Sequence, residues 1–180
     1  MFVARKIARA KWDKRPEFAD GEIPAVALTV GLRTKQHALS FWRCGGETAD
    51  LENVALAIAA AADRIDKVEL VWLAAEKLME DRQTFEGSPG DTPVADLADH
   101  HEDLRRLDVV RLVRLANRVM EALGEGHYHR VSRARVRSLG MEPLEQSAAS
   151  ETARSSTVPE VVPRGIGSGV RALCDQFRET

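Results

Sequence analysis

The stretch Thr48–Ala74, TADLENVALAIAAAADRIDKVELVWLA, decides the fold. Its first part sets Leu51, Val54, Ala55, Ile58, Ala59, Ala62 and Ile65 on one stripe at three- and four-residue spacing, the period of an α-helix with one apolar face. Thr48 stands where an N-cap is expected. Asp50 and Glu52 fall in the first turn, where carboxylates complement the positive end of the helix dipole. Val68, Leu70 and Trp72 then alternate along the chain with Val71 and Leu73 also apolar, which predicts a strand buried on both faces and central in its sheet.

Working outward, residues 2–10 fit a first strand with Val3, Ile7, Arg5 and Arg9 on one face. A helix joining Val3, Ile7 and Ala10 is the alternative. Pro16, Asp20-Gly21 and Pro24 punctuate a loop over 13–24. Val26, Leu28 and Val30 alternate as a half-buried strand, and Leu39, Phe41 and Arg43 as the next. The short polar link between them predicts an antiparallel hairpin. Residues 82–92 read as loop, and Thr92-Pro93 starts a helix with Val94, Leu97, His101 and Leu104 on one face. A further helix turns Val109, Leu112, Val113, Ala116, Val119, Met120 and Leu123 inward and stops at Gly124. Residues 130–139 fit a basic strand or a short helix capped by Ser132.

These elements make an α+β domain over residues 1–140, with a mainly antiparallel sheet of three or four strands covered by about three helices. Residues 141–165, rich in Pro, Ser, Thr and Glu, read as a flexible linker. In residues 166–180, Ile166, Val170, Leu173, Cys174 and Phe177 share a helical face. The expectation is a short amphipathic helix that folds back in cis or docks in trans.

Composition sets the class. A hydrophobic fraction of 44% in 180 residues supports a core and excludes wholesale disorder. No apolar run approaches the roughly 20 residues that span a bilayer, and MFVARKIARAKW lacks the apolar core of a secretory signal. Two cysteines, Cys44 and Cys174, make neither a disulfide framework nor a cysteine-based zinc site. The expected compartment is a reducing cytoplasm, with no membrane partner.

Charge is segregated. Residues 1–44 carry nine basic and four acidic side chains, 45–104 four and fifteen, 105–137 nine and three, and 138–180 four and six. Arg111, Arg114 and Arg118 form a row on the face opposite the apolar stripe of one helix, and Arg130, Arg133, Arg135 and Arg137 follow within twenty residues. Guanidinium groups hold phosphates and carboxylates bidentately, so the arginine-rich stretch is a candidate contact surface. The competing reading is a solvated face balanced by the acidic block through surface pairs.

Other constellations are weaker. In Asp96–Asp103 the adjacent His100 and His101 would point about 100° apart on a helix and share no ion. His127 and His129 lie on one side of an extended segment and are the candidate catalytic pair, suited to proton exchange near neutral pH. Cys44-Gly45-Gly46 sits before a helix start, but Glu47, Asp50 and Glu52 would repel a phosphate there and raise the thiol pKa. No metal or cofactor is expected.

The sequence favours a non-catalytic accessory module acting through protein–protein contacts or self-association. Its candidate binding residues are Arg111, Arg114, Arg118, Arg133, Arg137, Leu173 and Phe177. A nucleic-acid binder using the same arginines is the alternative, and a small phosphoester- or nucleotide-acting enzyme using His127 and His129 the third reading.

Overall fold

The computed structural model describes residues 1–13, 22–62, 64, 66–90 and 92–140. Within them lie strands β1 (Phe2–Lys6), β2 (Leu39–Cys44), β3 (Val68–Ala74), β4 (Thr84–Gly87), β5 (His101–Arg105) and β6 (Tyr128–Val131). The helices are α1 (Thr48–Ala60), α2 (Ala75–Glu80), α3 (Ala95–Ala98) and α4 (Val109–Gly124), with further helical turns over 133–140. The expected linker and terminal helix lie outside the described residues, with Leu173 and Phe177 among them.

The class is α+β with one antiparallel sheet, as the sequence implies, but the sheet has six strands where three or four were expected. Its order is β4-β5-β2-β1-β3-β6. The two unforeseen strands occupy stretches read as loop and helix. Val94, Leu97, His101 and Leu104 do share a helical spacing, yet α3 lasts only four residues. The chain then turns and runs extended, pairing Leu104 with Leu39 on one side and with Phe85 on the other. Leu104 is fully buried in that register, so sheet pairing prevails over the local helical pattern.

The hairpin expected from Val26 to Arg43 does not form. Both edges of β2 are taken, by β1 and β5, and Ala27–Gly31 winds as a π-helix in which Thr29 Oγ1 donates to the Ala25 carbonyl at 3.0 Å. Ala27 and Leu28 thereby pack beside Trp12 and Leu32 under one face of the sheet.

Each face of the sheet has its own core. On one, Val3, Leu39, Phe41, Val71, Leu73 and Leu104 meet α4 and α2 through Leu115, Ala116, Val119, Ala122 and Leu78. On the other, Ala4, Trp42, Val68, Leu70 and Val131 meet α1 and Val136. This double covering explains why β3 is apolar in both directions, and each fully buried leucine contributes about 2 kcal/mol of burial. Leu56, Ala57 and Ala60 of α1 are buried beyond the expected stripe because α1 meets α3 and β6 as well as β2 and β3.

The N-cap of α1 is Glu47, not Thr48, and Asp50 turns back to accept the Gly45 N–H at 3.0 Å. The helix ends at Ala60, short of Ile65, a residue outside those described. After β6, Ser132 Oγ accepts the Arg135 N–H at 3.1 Å and caps the last helical turns, so residues 130–139 are strand and then helix.

One local departure matters later. β1 pairs with β3 as far as Lys6, but with β2 only as far as Ala4 opposite Trp42. Beyond that point β2 continues against β5 alone.

Candidate functional site

Helix α4 begins where β5 ends. Arg106 takes a left-handed φ of 58°, which reverses the chain, and Arg111 Nη1 donates to the Arg106 carbonyl at 2.6 Å. Asp108 caps the helix by accepting the Arg111 N–H at 2.8 Å. The side chain of Gln83 donates to the Arg111 carbonyl from below.

The seating of α4 differs from the sequence reading. Leu115, Ala116, Val119 and Ala122 face the sheet, while Val109 and Val113, expected inward, are 75% and 39% exposed. Val110 is 61% exposed. Successive side chains on a helix are about 100° apart, which places Val110, Val113 and Arg114 on the face turned from the sheet. Val109 precedes the first turn that touches the core, so nothing among the described residues covers it. Arg106 and Arg114 are exposed beside these valines, and Arg111 is half-buried. The result is an apolar strip on an exposed helix, bordered by guanidinium groups.

The remaining predicted arginines are distributed unequally. Arg118 makes a bidentate pair with Asp81, Nε at 2.7 Å and Nη2 at 3.2 Å, and Nη1 reaches Glu121 at 3.1 Å. These hydrogen bonds raise the Arg118 pKa and hold the Asp81 carboxyl below the ordinary carboxylate range. Arg135 makes the same kind of pair with Glu52 at 2.9 and 2.8 Å, and lowers the Glu52 pKa through that hydrogen bond. Arg133 is exposed. Arg137 has Nε and Nη2 enclosed without a hydrogen-bond partner among the described residues. The basic and acidic blocks of the chain therefore meet at Arg118–Asp81 and Arg135–Glu52, while Arg114 and Arg133 stay outward.

His127 and His129 are held differently. The His127 ring stacks on Trp72 with centroids 5.2 Å apart, meets Phe2 edge-on at 6.1 Å, and has Nδ1 3.6 Å from Glu125. His129 lies opposite Leu70 in the β3–β6 ladder. His101 packs edge-on against Trp42 at 4.9 Å, and its Nδ1 is 2.8 Å from the Ser88 carbonyl. Among the described residues no group of three or more histidine, cysteine, aspartate or glutamate side chains converges as a metal site. Cys44 is half-enclosed beside Gly45 and Asp50, and burial chiefly pushes its thiol up to about 11, which makes it a poor nucleophile at neutral pH. No helix among the described residues is long and apolar enough to cross a membrane.

The exposed valines are what sequence reading missed. Val109 and Val113 satisfy the apolar period as well as Ala116 does, and only the adjacent Val110, out of phase with that stripe, signals an apolar surface beyond the core. Comparison of the chain with protein-family models, with curated proteins and with solved structures finds no match.

Proposed function

We propose that the chain is a non-catalytic accessory module that binds another protein through the amino-terminal half of α4. The observation that supports this is the strip of Val109, Val110 and Val113, exposed on an ordered helix and flanked by Arg106, Arg111 and Arg114. Apolar side chains give such a contact its affinity, and the bordering cations select the partner by charge. A two-fold contact between copies would set the same arginines against each other, so the favoured occupant is an acidic segment with apolar residues at helical spacing.

A nucleic-acid role finds less support, because Arg118 and Arg135 spend their bidentate edges on Asp81 and Glu52. An enzymatic role built on His127 and His129 has little geometric support, since His127 is packed on Trp72.

The test compares wild type with Val109→Asp/Val113→Asp and with Arg114→Glu, each checked for native circular dichroism. A partner recovered from native cells is identified, purified and titrated against all three. The expected result is an acidic partner, with binding weakened at least about tenfold by either change, since buried apolar contacts and charge pairs at interfaces commonly cost over 1 kcal/mol when removed. A protein that stays monomeric and unpartnered, or a partner indifferent to both variants, would refute the reading.

A further inference from the structure

We propose that the cleft where β1 and β2 separate is a binding site for a small organic oxyanion, a carboxylate or a phosphate monoester, held by Arg5. The cleft has a volume of about 450 Å³, within the range of small-molecule sites. Arg5 and Lys6 border it from β1, Ser40 and Trp42 from β2, Val30 from the π-helix and Ile58 from α1. It exists because the β1–β2 ladder stops at Ala4 and Trp42. A side chain bridges the gap instead, with Arg5 Nη1 donating to the Ser40 carbonyl at 2.8 Å.

The state of the guanidinium points to the ligand. Arg118 and Arg135 each present the Nε–Nη2 edge to a carboxylate. Arg5 presents the same edge to no acceptor among the described residues: Nε is enclosed and unpartnered, and Nη2 makes no hydrogen bond. Its remaining contact is with the Phe41 ring, whose centroid lies 5.5 Å from the guanidinium carbon. A buried donor left unmatched is costly, and an oxyanion with two acceptor atoms would match this edge as Asp81 matches that of Arg118 once the side chain turns the enclosed Nε toward the cleft.

Charge selects the same class. None of the described residues lining the cleft is an aspartate or glutamate, while two are cationic. The Ser40 hydroxyl turns to Asp103, whose carboxylate is already bound by Arg105 and Ser88. Burial lowers the Arg5 pKa to about 10, which leaves it charged at neutral pH. Val30, Trp42 and Ile58 add an apolar wall, so the favoured ligand carries an apolar body behind its charged end.

The test is an arginine Nε–H heteronuclear NMR titration of the full chain with phenyl phosphate, benzoate and inorganic phosphate, the Arg5 resonance being identified by its absence in Arg5→Lys. The expected result is a saturable shift of the Arg5 resonance with phenyl phosphate, benzoate or both, while those of Arg118 and Arg135 stay fixed. The organic anion that binds tighter names the head group. Arg5→Gln and Arg5→Lys should each weaken binding about tenfold or more, because lysine keeps the charge but lacks the two-donor edge. An Arg5 resonance unmoved by all three anions overturns the proposal without requiring either variant to fold. So does Arg5→Gln binding as wild type, or inorganic phosphate binding as tightly as both organic anions.

Discussion

Replacing Leu115 by alanine should separate the side chains that hold α4 from those it displays. Leu115 is fully buried between α4 and the sheet. Its truncation removes three carbons, about 2.4 kcal/mol of transfer free energy at roughly 0.8 per methylene, and the residual cavity brings the cost to about 3–4 kcal/mol. Val110→Ala removes two methyl groups that are already largely in water, since Val110 is 61% exposed. Its loss of burial is below about 0.7 kcal/mol and is largely offset by the better helix propensity of alanine, roughly 0.6 kcal/mol. Urea unfolding followed at 222 nm, with equal slopes required of all variants, gives both numbers. A Leu115→Ala cost under about 1 kcal/mol, or a Val110→Ala cost above about 2 kcal/mol, would mean that α4 is seated in another rotation.

Three further outcomes follow from local geometry. Because Arg118 depresses the Asp81 pKa, the pair's contribution is complete above the ordinary carboxylate pKa of about 4 and is lost as pH falls through the lower folded value. Asp81→Asn should therefore cost about 1–2 kcal/mol at pH 7, the gap from wild type closing as pH falls below about 4; a gap independent of pH would contradict the pairing. With its pKa near 11, the Cys44 thiol should react with iodoacetamide at pH 8 about a hundredfold more slowly than a free cysteine, as read by peptide mapping; equal rates would place it in an open site. Gly46→Ala should destabilise by about 1–2 kcal/mol in thermal unfolding, because Gly46 has φ +92° and a Cβ there meets the Phe2 ring at 3.1 Å; an unchanged melting temperature would show that this turn relaxes freely.

How far the sequence could be read depended on which force shaped each segment. Where local period and burial agree, as in β3 and the Gly124 end of α4, the pattern was sufficient, and in α1 it was sufficient for the helix but not for its ends or its full buried surface. It failed where pairing with distant residues decided the outcome. Nothing local to HEDLR tells that Leu104 lies between Leu39 and Phe85, and nothing in Val26–Val30 tells that both edges of β2 are already occupied. At the candidate site, the arginine row was visible but its carboxylate partners were not. Asp81 is 37 residues from Arg118, and Glu52 is 83 from Arg135. The exposed valines were hidden for a different reason, since a valine on an overhanging first turn looks like one in the core until the helix is set against its sheet.

In-cell photo-crosslinking tests the central claim most directly, with a photoreactive residue in place of Val110 on α4 or, as control, in place of Met79 on α2, which is also more than half exposed. The proposed contact predicts one discrete adduct from position 110, abolished by Arg114→Glu, and none from position 79. No adduct at 110, or the same adducts from both positions, would contradict it.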